Sequence, residues 1–433
     1  MALTESIYEK LTNEEDTRLC KEISDQACRE VPGSFVLILF SNFLTKLGDA
    51  IASPKITLAW VVDIVGAPSY VLGFLVPIRE SGSLIPQIFI GSVIRRLEVR
   101  KWVWVIGSII QASAIMGVAL TVFFLQGNLA GWSILTLLVI FSLARGFCSV
   151  SSKDVLGKTI PKTKRGQLTG WSASAAGFVS VGVGAYLVFM TLQSDNRVLY
   201  GYLLLSAGLL WIFASGIYSQ IKEFSGETGG GRNGIEAIRS LNILLSDRAF
   251  RRFVMTRALL MCSALSAPFY IALAQENLGS RTYLLGLFIV ASGVASLVSA
   301  PFWGRFADKS SKWVMVVSAL ITSSIGIIIF IVDFYLPSFV NTIWFLPISY
   351  FFLSVAHSGV RVGRKTYVVN LATGNKRTDY VAVSNSVIGV LLLMVGSIGI
   401  LTPLITIVGV IALLSLMGFA GAIFGLSLPE VEK

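Results

Sequence analysis

The stretch LARGFCSVSSKDVLGKTIPKTKR (143–165) returns 212 residues later as VAHSGVRVGRKTYVVNLATGNKR (355–377). Lys153 falls on Lys365, and Lys164-Arg165 falls on Lys376-Arg377. A slide of 213 residues pairs Tyr70, Gly73, Ser83, Leu84, Phe89 and Gly91 with Tyr283, Gly286, Ser296, Leu297, Phe302 and Gly304. After a two-residue gap, Lys101-Trp102-Val103 meets Lys312-Trp313-Val314. A repeat of so long a period makes each unit a whole bundle, and the two bundles run in the same direction.

Composition says what fills them. Of 433 residues, 54% are apolar and 14% charged, with a mean hydropathy of +0.76; a soluble domain carries roughly 25% charge. A bilayer-spanning helix needs about 20 apolar residues. Reading outward from the repeat, such runs fall near 35–61, 67–90, 103–125, 132–157, 168–190 and 198–220. A second set follows near 253–275, 283–303, 314–333, 342–367, 379–401 and 404–426. The predicted fold is an all-α membrane protein of twelve transmembrane helices in two six-helix bundles. Its predicted organisation is an N-terminal tail (1–33), a first bundle (34–221), a linker (222–250), a second bundle (251–428) and a short tail (429–433).

The formal charge of +11 sits in short clusters between spans, which is how orientation is encoded in membranes and does not describe a nucleic-acid surface. The even-numbered loops carry Arg95, Arg96, Arg100, Lys101, Lys158, Lys162, Lys164, Arg165, Arg305, Lys309, Lys312, Lys376 and Arg377, against Arg197 and Arg281 in the odd-numbered ones. The even loops and both termini are therefore expected in the cytoplasm of a plasma or bacterial inner membrane. The tail is polar and acidic (Glu14, Glu15, Asp16, Glu22, Asp25), unlike a secretory signal. In the linker, Ile235, Ile238, Leu241 and Leu245 recur at helical spacing, predicting an amphipathic helix on the cytoplasmic surface. Four cysteines and one histidine exclude a disulfide framework and a histidine-rich metal cluster. Cys20, Cys28, Cys148 and Cys262 each read as free thiols. Gly157-Lys158-Thr159 lacks the preceding glycine of a phosphate loop, since Ser152 stands there, so ATP-driven pumping is not indicated.

At this point the chain resembles the major facilitator superfamily. The resemblance spans residues 34–428 and is sharpest at Gly304-Arg305-Phe306-Ala307-Asp308-Lys309 with Lys312, which is similar to the family's loop signature. The first-half equivalent, Gly91 to Arg96, has Arg95 where the signature has an aspartate. The resemblance implies that spans one, four, seven and ten line a central cavity, flanked by two, five, eight and eleven. It also implies that Gly304, Arg305, Asp308 and Lys309 form a cytoplasmic gate pairing across the bundle interface.

Ionisable groups within the spans are the candidate functional residues, because each costs about 2.5–3.5 kcal/mol to insert. Arg145, Ser149, Ser152 and Lys153 share one face of span four, and His357, Arg361, Arg364 and Lys365 occupy the corresponding places in span ten. These two basic stripes are expected to face each other. Span one carries Asn42, Lys46, Asp49 and Ser53 on one face, with Lys46 and Asp49 spaced to pair within the helix; Lys55 points elsewhere, toward the outer end. Arg79-Glu80 lies near the centre of span two. Pro54 and Pro268, at comparable depth in spans one and seven, read as kinks.

The expected function is secondary transport of a small organic solute, anionic or zwitterionic because cations outnumber acids along the cavity, by alternating access coupled to protons. Asp49, Glu80, Arg145 and Arg361 are the solute or proton residues, with Lys46, Arg79, Arg257 and His357 behind them. Two readings of these charges stand, proton coupling and permanent inter-helix salt bridges. Other functional readings are a proton-driven multidrug efflux antiporter, and a channel or receptor without coupled transport. The expected partners are the solute, protons and the bilayer, with no nucleic acid, no cofactor, no metal, no enzymatic activity and a monomeric chain. Solute, direction and coupling ion are not legible.

Overall fold

A computed structural model describes residues 25–86, 90, 93, 94, 96–190, 197–225, 240–371 and 376–432. Cys20, Gly91, Arg95, Ile235 and Ile238, on which expectations above rest, lie outside them. The described residues contain helices and no strand.

Helices occupy every stretch read as a span. Span one comprises Val31–Ile51 and Thr57–Ile64, span two Tyr70–Leu84, span three Lys101–Phe124, span four Gly127–Thr159, span five Lys162–Met190 and span six Arg197–Ser219. Span seven is divided among Arg248–Leu259, Cys262–Leu265 and Ala267–Leu278; spans eight to twelve are Thr282–Lys309, Ser311–Tyr335, Phe345–Leu371, Lys376–Gly396 and Thr402–Leu426. Nine helical segments of the described residues are long and apolar enough to cross a membrane, and the last of them, Tyr380–Leu426, has 47 residues, enough for two crossings. Span ten is not among the nine. The charges that make it a candidate site also dilute its hydropathy.

Spans one and seven are broken for a local reason. Proline has no N–H to give and disfavours helix in the residue before it, so Pro54 interrupts span one, where the Leu58 amide reaches back to the Ser53 carbonyl at 2.9 Å. Pro268 opens the outer piece of span seven in the helix's first turn, where a missing N–H is harmless. The inner piece of span seven starts at Arg248, capped by Asp247, which accepts from the Phe250 amide at 3.0 Å.

The packing repeats with the sequence. Span three packs on four and six as nine packs on ten and twelve; span two packs on four as eight packs on ten. The halves meet where span eight lies on five and span eleven on two. Glycine permits both approaches: a Cβ on Gly184 would stand 2.9 Å from the Gly286 carbonyl oxygen, and one on Gly73 would stand 2.5 Å from that of Gly396. These contacts sit away from the loop-basic end, as do the bonds from Gln275 Nε2 to the Trp60 carbonyl (3.1 Å), from Ser280 to Asp63, and between Tyr200 and Thr282 (2.7 Å). Toward the basic end Gly166, Gly170 and Gly304 face open space, and Arg361, Lys153 and Lys365 are exposed. The molecule is closed at one end and cleft at the basic end.

Each bundle also carries an acid at the start of its third helix, buried in the first bundle and more exposed in the second. Glu223, just past span six, accepts from the Arg100 and Lys101 amides at 2.9 and 2.6 Å and from Lys158 Nζ at 2.8 Å. Past span twelve, Glu430 accepts from Ser310 at 2.9 Å, with Lys312 at 3.6 Å, and Glu432 accepts from Ser311. Glu223 satisfies amides that a helix start leaves open, whereas Glu430 and Glu432 take serine hydroxyls at the matching start. Cys28, expected as a free thiol, is disulfide-bonded; Cys148 and Cys262 are free and buried.

Candidate functional site

Two pockets flank span one. The first, about 240 Å³, lies within the first half and is lined by Asn42, Thr45, Lys46 and Asp49 of span one, Ser108 and Gln111 of span three, Arg145, Ser149 and Ser152 of span four, and the ring of Trp211. Asp49 holds two guanidinium groups on a single oxygen: Arg79 Nη2 donates to Oδ1 at 2.7 Å and Arg145 Nη1 at 2.6 Å. Arg79 is buried, its guanidinium carbon 4.5 Å from the centre of the Phe141 ring, whereas Arg145 keeps 35% of its side chain exposed. One carboxylate between two cations leaves a net positive charge, and Arg145 is the member turned to the pocket.

Lys46 does not pair with Asp49 as its spacing allowed. Its ammonium donates instead to the Thr169 carbonyl (3.0 Å) and to Ser172 Oγ (2.9 Å) of span five. Arg257 is the matching group in the second half: it stands outside both pocket walls and donates to Ser384 Oγ (2.7 Å) and Asn385 Oδ1 (2.8 Å) of span eleven. Lys46 and Arg257 are 211 residues apart, and Ser172 and Ser384 are 212 apart, so the repeat conserves one cation-to-serine link in each bundle.

The second pocket, about 140 Å³, lies between the halves. It is lined by Ser53 and Lys55 at the break of span one, Ser263 and Ala267 at the break of span seven, Ser292 and Ser296 of span eight, and Tyr350, Ser354, His357, Ser358 and Arg361 of span ten. Lys55 Nζ lies 2.8 Å from His357 Nε2, and His357 Nδ1 lies 3.1 Å from Ser263 Oγ, which donates to the Leu260 carbonyl at 3.0 Å. Because that hydroxyl proton is committed to Leu260, His357 donates from Nδ1 and accepts the Lys55 ammonium at Nε2. The chain ties the first half to the second through both helix breaks. Glu80 makes no ion pair within 4 Å among the described residues and sits in the field of Lys55, Arg79, Arg361 and Arg364.

The expected facing stripes are therefore divided. Arg145, Ser149 and Ser152 serve the first pocket, and His357 and Arg361 the second. Lys55, placed on the wrong side by a helical-wheel argument, lines the second pocket because the break before it resets the helical phase. Gly304 is half-buried, and Arg305, Asp308 and Lys309 are exposed and unpaired among the described residues at the open end.

The model for the Major Facilitator Superfamily matches residues 38–390. The chain belongs to the Major Facilitator Superfamily. It is a multi-pass membrane protein of that transporter family. Among curated proteins, none matches the sequence. Several solved structures of this fold are similar throughout. The D-xylose-proton symporter is 16% identical with a TM-score of 0.69, over 92% of this chain and 98% of that one. A POT family transporter in complex with 5-aminolevulinic acid is 10% identical with a TM-score of 0.71, over 91% and 95%. The nucleoside transporter NupG is 11% identical with a TM-score of 0.65, over 91% and 98%. At these identities the likeness is one of fold.

Proposed function

We propose that the chain is a proton-coupled secondary transporter of a small organic anion, working by alternating access with its basic end in the cytoplasm. The observation that carries this reading is the Arg361 guanidinium, which makes no hydrogen bond or ion pair among the described residues, standing with Lys55 on the wall of a pocket between the halves. An arginine with no carboxylate bonded to it, on a pocket wall, attracts anions. The Asp49–Arg79–Arg145 triad in the adjoining pocket supplies the coupling: a proton on Asp49 loosens the tie among spans one, two and four, and loss of that proton restores the triad. Asp308, with Arg305 and Lys309, closes the basic end when the halves rock the other way, and its exposure here suits the open position. The resemblance to symporters and to a transporter bound to a zwitterionic acid supports the class.

The experiment is proton movement in proteoliposomes holding a trapped pH-sensitive dye, on addition of short organic acids under an imposed pH gradient. The wild type moves protons with the acid, and Asp49→Asn does not. Equal anion-driven proton flux in both would reject Asp49 as the coupling group, and absence of any anion-dependent flux in the wild type would reject the reading.

A further inference from the structure

Serine in a helix ordinarily returns its hydroxyl to the carbonyl four residues earlier. This protein obeys that habit widely: Ser142 donates to Leu138 (2.6 Å), Ser180 to Ala176 (2.6 Å) and Ser415 to Ile411 (2.8 Å). Three serines on the wall of the pocket between the halves do not. Ser292, Ser296 and Ser358 line it and make no hydrogen bond among the described residues. Ser292 and Ser296 are four apart on span eight, one face of that helix, and Ser358 and Arg361 are three apart on one face of span ten. The pocket thus offers hydroxyls from two helices beside a guanidinium that is unbonded among the described residues, with Lys55 and His357 also on its wall.

We propose that this pocket binds a polyhydroxylated carboxylate, with Arg361 taking the carboxylate and Ser292, Ser296 and Ser358 taking the solute's hydroxyls. This deepens the organic-anion reading and rests on it. A plain carboxylate would satisfy Arg361 and leave the three pocket-lining hydroxyls without a solute partner. A neutral polyol would satisfy the hydroxyls and leave the guanidinium without an anion. Only a solute with both functions satisfies the wall, and sites built to hydrogen-bond a hydroxyl discriminate strongly against analogues that lack it. The pocket measures about 140 Å³, and the three probes below share a six-carbon chain so that the carboxylate and the hydroxyls are the features that vary.

The test is isothermal titration of the purified full chain in detergent with three six-carbon probes: D-gluconate, hexanoate and sorbitol. Gluconate is expected to bind at least about tenfold more tightly than either of the others, given that two or more net hydrogen bonds separate them. Ser292→Ala with Ser296→Ala is expected to weaken gluconate about tenfold and leave any residual hexanoate binding unchanged; Arg361→Gln is expected to abolish the preference for gluconate over sorbitol. Hexanoate binding as tightly as gluconate, with the serine variant silent, would overturn this inference and leave the organic-anion reading standing. Sorbitol binding as tightly as gluconate, or no carboxylate binding at all, would overturn both.

Discussion

Replacing Asp49 by asparagine should convert the centre of the first half from an attraction into a repulsion. Both guanidinium groups bond the same oxygen, at 2.7 and 2.6 Å, so their nitrogens stand no further apart than 5.3 Å. At an effective dielectric of about 20, two unit charges about 5 Å apart repel by about 3 kcal/mol. Breaking a buried pair by removing one partner costs about 3–5 kcal/mol, and since Arg145 keeps 35% of its side chain exposed, solvent screening puts Asp49→Asn at about 3 kcal/mol. In the wild type, Arg145→Gln leaves the Asp49–Arg79 bond in place and costs about 1 kcal/mol. In the Asp49→Asn background the same substitution removes a repulsion that the exposure of Arg145 screens, and stabilises by about 1 kcal/mol. The sign of one substitution is thus reversed by the other. Thermal unfolding of the four proteins in detergent, followed by tryptophan fluorescence, should rank them wild type, Arg145→Gln, the double variant, then Asp49→Asn. A double variant less stable than Asp49→Asn would refute the shared-carboxylate reasoning.

Three further outcomes are expected. Gly184→Leu places a side chain where even a Cβ meets the Gly286 carbonyl at 2.9 Å, so the closed end should be propped open. A cysteine at the buried Thr282 should then react with an impermeant maleimide about fivefold faster or more, and an unchanged rate would remove this contact from the closure. Asp308→Asn should slow labelling of the same cysteine about fivefold by favouring the state described here, and labelling at the wild-type rate would release Asp308 from the gate. Glu223→Gln removes the charge from a fully buried carboxylate that serves two amides and Lys158, and should cost about 3–5 kcal/mol. A melting temperature equal to that of the wild type would show that the amides find other partners.

Much of the fold was legible because a bilayer imposes one length and one backbone solution on every crossing, so apolar runs marked the helices to within a few residues. Charges within spans marked Asp49, Arg79 and Arg145 as candidates, although their joining at one oxygen depends on three helices whose rotation no spacing encodes. Lys46 illustrates the limit. Its position three residues before Asp49 allowed a pair, yet span five brought Thr169 and Ser172 closer. Serines such as Ser292 carry no signal of their own, being neutral, small and common in packed spans. Glu223 was hidden in a polar stretch after span six, where nothing in its neighbours announces a helix start more than a hundred residues earlier.

The amino-acid order alone determined the all-helical membrane-spanning architecture, the duplication, the charge bias between successive loops and the presence of ions within the apolar runs, because each follows from local composition and from the cost of burying charge. Which ion meets which, where span one breaks phase so that Lys55 reaches His357, which serines stand free, and which end is open were decided by packing. Those outcomes turn on the rotation and approach of helices distant in sequence, and a side chain's partner is whichever group the assembled bundle brings within about 3 Å.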